Sequence, residues 1–152
     1  MIHRKQGYYP TCGACSYGMI VDIPQDLAVI ECKTKLRGKG KGTYTLDVLQ
    51  AFRQRKIACK LIEVDQDFRS IETDLRLLSQ QYKLYVSGTF VNRNKRGKPT
   101  TSQHAFVIWR GTIYDPAEPQ PFPIESYYFK FTKHLVVKEI IVVGLDENGT
   151  VG

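Results

Sequence analysis

The chain has 152 residues, of which 42% are hydrophobic and 24% charged, and its formal net charge is +7 at pH 7. This length and balance are typical of one soluble globular domain with a substantial core. No apolar run reaches the roughly 18 residues of a transmembrane helix, and the opening MIHRKQGYYP lacks the apolar segment of a signal peptide. We therefore expect a single domain over residues 1–152 with no membrane segment.

The basic balance has two interpretations. It fits an anionic partner such as nucleic acid, or a solvated basic face with no partner. Two denser basic stretches, RGKGKG at residues 37–42 and NKRGKPTTS at residues 94–102, are candidates for contacts with an anionic partner and for shaping substrate access. Four cysteines in such a chain favour free thiols and a cytoplasmic setting over a disulfide framework.

The stretch from Gln6 to Ile20, QGYYPTCGACSYGMI, predicts a loop that leads into a helix. Pro10 cannot lie inside the helix, and Thr11 is a suitable cap that accepts a backbone N–H bond. Cys12 then falls in the first turn, where free N–H groups and the positive end of the dipole favour a thiolate. Gln6 lies six positions upstream and offers an amide donor. A thiolate with a nearby amide donor is the beginning of an acyl-transfer site.

Three further helices are expected. Pro24 suits the first turn of the second, which has an apolar face, and RGKGKG then forms a flexible, solvated connector. Thr45 to Gln54 forms an amphipathic helix, and Asp67 to Gln81 forms another, capped by Asp67. The expected core positions of these three helices are Leu27, Ile30 and Cys32, then Leu46, Val48, Leu49 and Phe52, then Phe68, Ile71, Leu75 and Leu78.

The remaining segments predict strands. Prolines at positions 116, 119, 121 and 123 make residues 116–123 irregular, and a polar tail follows residue 145. The predicted strands are Ile57–Val64, Tyr82–Asn92, His104–Trp109, Thr112–Asp115, Tyr127–Phe131 and Leu135–Gly144, with a turn-rich loop over Asn94–Ser102. Helices come first and most strands later, so we expect an α+β domain with its helices on one side of an antiparallel sheet.

A base and a group that orients it are found in the segment HAFVIWRGTIYDP. If Arg110-Gly111 is a two-residue turn, then Ile108 faces Ile113, and His104 and Asp115 become diagonal neighbours on one face of the hairpin. A carboxylate there fixes the imidazole tautomer and leaves the other ring nitrogen free to deprotonate a thiol. A shift of one residue in register would separate the two side chains.

These residues resemble the C39-type, bacteriocin-processing peptidase domain of the papain-like cysteine proteases. That family places a glutamine six residues before a Cys-Gly-Ala, as Gln6 and CGACSYGMI do here. The segments GTYTLDVLQAFRQRKIACK and HAFVIWRGTIYDP resemble its later blocks, and the resemblance spans residues 6–143. It implies a papain-like fold and a peptide or protein substrate with no cofactor and no metal. Cys12 would be the nucleophile, His104 the base, Asp115 the orienting carboxylate and Gln6 the oxyanion donor.

Other functions stay open on sequence alone. Amidases, deamidases and transglutaminase-like enzymes use the same set of residues. Cys12 and Cys15 form a C-x-x-C at a helix start, as in thiol redox proteins, although no clear strand precedes it. A zinc site lacks a second ligand pair, because Cys32 and Cys59 are isolated. A catalytically silent or nucleic-acid-binding module that uses the basic loops and tyrosines is the remaining alternative.

Overall fold

The structure is a computed structural model that describes residues 1–7, 10–93, 96–127 and 134–146. Within these residues the chain forms four α-helices, six strands and one short 3₁₀-helix, Ile124–Ser126, which confirms the α+β class. The helices are α1 Cys12–Val21, α2 Gln25–Glu31, α3 Thr45–Gln54 and α4 Phe68–Leu78. The strands are β1 Cys59–Asp67, β2 Lys83–Arg93, β3 Pro99–Trp109, β4 Thr112–Tyr114, β5 Phe122–Pro123 and β6 His134–Val143.

The strands form one antiparallel sheet in the order β1-β6-β2-β3-β4-β5. The central strands contain continuous apolar runs, such as LYV in β2, AFVI in β3 and IIVV in β6. Continuous apolar runs are typical of strands that are covered on both faces. The sheet is indeed covered on both faces, and this places a hydrophobic cluster on each side of it.

The helices divide between these two faces. Tyr85 packs in a cluster with residues of α1, α2 and α3, whereas its neighbours Leu84 and Val86 pack with α4 on the other face. The expectation that all helices lie on one side is therefore wrong. The reason is the position of β1, which joins the sheet beside β6 and leads directly into α4. Phe68 begins α4 on the face of the sheet opposite to α1, α2 and α3.

Several element boundaries are confirmed. Helix α3 covers the predicted residues, and Oδ1 of Asp67 caps α4 by accepting a hydrogen bond from the backbone N–H of Arg69 at 2.8 Å. Thr11 occupies the N-cap position of α1, but its side chain makes no capping bond. Its hydroxyl instead donates to Oε1 of Gln25 at 3.2 Å and ties the start of α1 to α2.

Two predicted apolar faces are wrong in part. Leu27 and Ile30 of α2 are 41% and 71% exposed, and Leu46 of α3 is 66% exposed. Helix α2 is short and packs through Ala28, which lies close enough to Gly18 that an added Cβ there would come within 3.3 Å of it. This contact turns Leu27 and Ile30 toward solvent.

The loop predicted at residues 94–102 is shorter in the structure, because its last four residues belong to strand β3. Strand β3 begins at Pro99, because Pro99 to Ser102 pair with Phe90 to Arg93 of β2 and extend the ribbon. The loop prediction is wrong for those residues, and positions 94 and 95 lie outside the described residues. Tyr127 follows the 3₁₀-helix and does not begin a strand, while positions 128–131 of that predicted strand lie outside the described residues. The tail beyond residue 146 also lies outside them.

In the described part of the chain, no helix combines the length and the hydropathy that crossing a membrane requires.

Candidate active site

Cys12 is the first residue of α1 and is partly exposed, whereas the next eight residues of the helix are all buried. The close packing at this end depends on Gly13. A Cβ on Gly13 would lie 2.7 Å from Cβ of Thr43 and 2.8 Å from the Tyr85 hydroxyl. Because Gly13 has no side chain, Thr43 and strand β2 pack directly against the start of α1. Cys12 lies at this end of the helix and stays partly exposed.

The hairpin of β3 and β4 turns through Arg110 and Gly111, whose φ angles are 49° and 70°. Two successive residues with positive φ are characteristic of a type I′ turn, whose twist matches that of the flanking strands. The turn fixes the register in which Ile108 faces Ile113, and this predicted pairing is confirmed.

The same register brings His104 and Asp115 together. Nε2 of His104 lies 2.7 Å from Oδ1 of Asp115, with the His104 side chain 12% exposed and the Asp115 side chain fully buried. Because Nε2 is engaged by the carboxylate, Nδ1 is the nitrogen that remains for a second partner. The rings of Phe90 and Phe106, at 5.5 and 6.1 Å between centroids, flank the imidazole and limit its rotation.

The pKa of His104 is raised to about 10. Burial by itself lowers this pKa, but hydrogen bonds to the side chains of Asp115 and then Cys12, together with their negative charge, outweigh the burial. The ring is thus bonded to the carboxylate and lies close enough to the Cys12 thiol to respond to its charge. It is protonated at neutral pH and forms the centre of a Cys12–His104–Asp115 arrangement.

The Asp115 carboxylate is held by two further donors. The backbone N–H of Ala117 donates to Oδ1 at 2.9 Å, and the hydroxyl of Tyr127 donates to Oδ2 at 3.1 Å. His3 approaches from the N-terminal segment, where its Nε2 donates to the Asp115 backbone carbonyl at 2.9 Å. A buried carboxylate with several donors is fixed in orientation, as an orienting group requires.

Gln6 is bonded to the segment that carries Asp115. Its backbone N–H donates to the carbonyl of Pro116 at 2.8 Å, one residue beyond Asp115. Its side-chain oxygen Oε1 is buried and has no hydrogen-bond partner among the described residues. Unpaired buried polar atoms are rare in native structures and call for a functional explanation. All four predicted site residues thus belong to one region, with Gln6 anchored to the segment that carries Asp115.

A β-bulge lies beside His104. The pairing of β2 with β6 shifts between Ser87 and Gly88, and Gly88 is the cross-strand partner of His104. A Cβ on Gly88 would come within 2.5 Å of the Val136 carbonyl oxygen, so only glycine fits there. Bulges redirect side chains and are common next to active sites.

A cleft of about 460 Å³ opens in front of these groups. Helix α1, the segment from residue 40 to residue 45 and strands β2, β3 and β6 form its walls. The RGKGKG connector, expected to be a solvated loop and a candidate for shaping substrate access, contributes residues 40–42 to this wall. Cys12 and His104 line the cleft, together with Tyr85, Ser87 and Glu139.

The other cysteines differ from Cys12. All four are free thiols, but Cys15, Cys32 and Cys59 are buried. Burial raises the pKa of Cys15 to about 12, and its Sγ donates to the Arg4 carbonyl at 3.2 Å. Burial also raises the pKa of Cys32 and Cys59. The described residues contain no group of three or more His, Cys, Asp or Glu side chains that could hold a metal ion.

Sequence reasoning missed Tyr127 and His3, which contact Asp115, and Tyr85, which contacts the start of α1. No local signal marks the first two, because residues 116–126, with four prolines, separate Tyr127 from Asp115, and His3 lies in a terminal segment. Tyr85 does carry a signal, since a hydroxyl in the apolar run of a central strand needs a polar neighbour.

No protein-family model matches the chain, and a comparison with curated proteins finds no match.

Proposed function

We propose that this protein is a papain-like cysteine peptidase that hydrolyses a peptide or related amide bond through a thioester. The observation that carries the proposal is the position of His104, whose ring is bonded to the buried Asp115 carboxylate and lines the same cleft as Cys12. Nucleophile, base and orienting group in this order are the elements of covalent acyl transfer.

The proposed reaction has two halves. The proton of the Cys12 thiol lies on the His104 ring, in line with the raised pKa of that ring, and Sγ of Cys12 attacks the substrate carbonyl carbon. The backbone N–H at the start of α1 and the amide of Gln6 donate to the oxygen that becomes negative. The carbon–nitrogen bond breaks, the amine leaves with the proton from His104, and a thioester remains. A water molecule, deprotonated by His104, then releases the acid and restores the thiol.

The resemblance to C39-type peptidases agrees with this chemistry and extends the proposal to the papain-like fold. Helix α1 carries the nucleophile, and the β3–β4 hairpin carries the base and the carboxylate. A peptide or protein is the proposed substrate, because the resemblance implies one and the cleft of about 460 Å³ has exposed residues in its wall. The four free thiols agree with a reducing, cytoplasmic setting.

The C-x-x-C redox function has less support. A redox pair needs a second thiol that ionises readily, and burial raises the pKa of Cys15 to about 12. Its sulfur also donates to the Arg4 carbonyl inside the protein. We therefore assign Cys15 to the packing of α1.

Alkylation with iodoacetamide at neutral pH, followed by peptide mapping, tests the proposal. We expect selective labelling of Cys12, with the other three cysteines unmodified in the folded protein. The labelling rate in His104→Ala should fall at least about tenfold, because the ring no longer accepts the thiol proton. Equal labelling of Cys12 and Cys15, or a rate independent of His104, would contradict the proposal.

His134→Ala is the matched control. His134 lies at the start of β6, its side chain is 58% exposed and its Nε2 pairs with Asp67. Removing this imidazole should leave the labelling of Cys12 unchanged, so that a loss in His104→Ala is specific to the site.

A further inference from the structure

The floor of the cleft contains a carboxylate without a partner. Glu139 lies on β6 opposite Ser87 of β2, and both residues line the cleft with Cys12 and His104. Among the described residues the Glu139 carboxylate accepts no hydrogen bond and forms no ion pair. Its neighbour on β6, Lys138, pairs instead with Asp65 outside the cleft. A partly buried carboxylate without a cation is unusual in a chain with a net charge of +7.

Tyr85 provides a second, independent observation. The residue is 1% exposed, yet it lines the cleft, and its hydroxyl has no hydrogen-bond partner among the described residues. This oxygen is not one of the buried polar atoms that lack a partner, so it is reached from the cleft and can accept a hydrogen bond there. Burial, followed by the negative charges of Cys12, Cys32 and Glu139, raises the pKa of Tyr85 well above its usual value. The hydroxyl is thus a neutral group, close to both Cys12 and Glu139, with a free oxygen.

The charges around the cleft are arranged along its depth. Lys41 is exposed at the mouth, on the wall formed by residues 40–45, and Glu139 is on the sheet that forms the floor. The sheet also contributes Ser87 and Gln103, which are neutral, and the His104 ring, whose charge is paired with that of Asp115. The floor therefore presents one negative charge and several oxygen acceptors, a set that matches a group with only N–H donors.

We propose that this floor is a specificity subsite for a cationic side chain, a lysine or arginine of the substrate next to the bond that Cys12 attacks. Glu139 forms the ion pair and the Tyr85 oxygen accepts a further N–H. This assignment rests on the proposed function, because it places the cation relative to the Cys12 thiol. An ion pair in a half-enclosed cleft discriminates against a neutral side chain of the same length, which leaves the carboxylate unpaired.

Covalent probes test the subsite without knowledge of the natural substrate. Tripeptidyl fluoromethyl ketones alkylate a catalytic thiol, and a single lysine is placed in turn at each of the three positions. Norleucine probes of the same length serve for comparison. At one position we expect the lysine probe to label Cys12 about tenfold faster than the norleucine probe. In Glu139→Gln this ratio should fall to about one, and in Tyr85→Phe it should fall partway.

Glu63→Gln is the matched control. Glu63 lies directly opposite Glu139 on β1, is exposed and lies outside the lining of the cleft. Its replacement makes the same change in net charge and should leave the lysine-to-norleucine ratio unchanged. Each ratio is measured within one variant, so a general change in Cys12 reactivity cancels.

The outcomes separate the two proposals. Equal lysine and norleucine rates in the wild-type protein at all three positions would overturn the subsite, and so would a lysine preference that survives in Glu139→Gln. Faster labelling by a glutamate probe would also overturn it and would indicate that Lys41 selects an anion. Iodoacetamide labelling of Cys12 that depends on His104 keeps the peptidase proposal intact in each of these cases. Loss of that dependence removes both proposals.

Discussion

The carboxylate of Asp115 has no contact with solvent, and three donors surround it: the His104 ring, the Ala117 N–H and the Tyr127 hydroxyl. An ionised group at full burial is tolerated only with such compensation. Each donor also restricts the orientation of the carboxylate. The His104 ring is therefore held in place by Asp115 on one side and remains available to Cys12 on the other.

The protonation state of His104 gives the first prediction at the residue scale. Its pKa in the folded protein is raised to about 10, above the usual value of about 6.5. The pKa of His104 is therefore higher in the folded than in the unfolded protein, and its protonation stabilises the fold. This stabilisation is fully present below about pH 6.5 and is lost as the pH rises through about 10. We expect NMR of the ¹⁵N-labelled histidines to show the His104 ring protonated from pH 6 to about pH 9.

Asp115→Asn is the comparison for this titration. Removing the charge removes the main reason for the raised pKa, so the His104 ring should lose its proton at a lower pH in this variant. A wild-type ring that titrates near pH of about 6.5 would contradict the assigned interactions.

Tyr127 is predicted to act as a positioning residue. In Tyr127→Phe the carboxylate loses a donor worth about 1.5 kcal/mol, and we expect Cys12 alkylation to slow by about tenfold. The His104 titration should shift as well, which a purely structural role would not cause. Tyr17→Phe is the control, since the Tyr17 hydroxyl also donates to a carboxylate, that of Glu31, away from the site. Equal effects of the two substitutions on alkylation would contradict the positioning role.

At this scale the sequence predicts contacts that local geometry determines. His104 and Asp115 are joined by a two-residue turn, so counting from Arg110-Gly111 is enough to place them together. Tyr127 reaches the same carboxylate through a segment with four prolines, and no periodicity relates it to Asp115. His3 depends on the path of the N-terminal segment, which is held to residue 116 by a backbone bond. Contacts of this kind require the tertiary fold.

At the scale of elements, the bulge between β2 and β6 is tied to the position of His104. Gly88 is the cross-strand partner of His104. A Cβ added to Gly88 would collide with the backbone carbonyl of Val136. We predict that Gly88→Ala destabilises the protein by about 2 kcal/mol or more, because the blocking atom belongs to the backbone and cannot rotate away. Denaturant unfolding measures the loss, and Cys12 alkylation should slow because β3 shifts.

Gly7→Ala is the control for this substitution. A Cβ on Gly7 would meet only the side-chain nitrogen of Gln25, at 3.3 Å. A small change is expected there, and a Gly88→Ala protein as stable and reactive as this control would contradict the proposed role of the bulge.

Element types and faces were not equally predictable. Helix α3 and the Asp67 cap of α4 follow from periodicity and capping, which are local properties. The buried face of a short helix depends on its neighbour, and α2 turns Ile30 outward because it packs through the small Ala28. Continuous apolar runs in β2, β3 and β6 carried a signal that the sheet is covered on both faces. The order of helices and strands along the chain, taken alone, suggested that helices cover only one face of the sheet.

At the scale of the whole molecule, both clusters share the same central strands, so neither is expected to unfold alone. Phe52 of α3 packs on one face, and Phe68 of α4 packs on the other. We predict that Phe52→Ala and Phe68→Ala each lower the free energy of unfolding by about 3–5 kcal/mol while a single transition is kept. Circular dichroism and Trp109 fluorescence in denaturant should give coincident curves. Two separated transitions in either variant would contradict this expectation.

The proposed catalysis requires the Cys12 thiol to form an acyl-enzyme with the help of His104. The small acyl donor p-nitrophenyl acetate, followed by rapid acid quench and peptide mapping, tests this without a known substrate. We predict one acetyl group per chain on Cys12, formed in a burst of nitrophenolate and then hydrolysed, with both steps slowed strongly in His104→Ala. Acetylation spread over the lysines with Cys12 unmodified, or the same turnover in Cys12→Ser, would contradict the account.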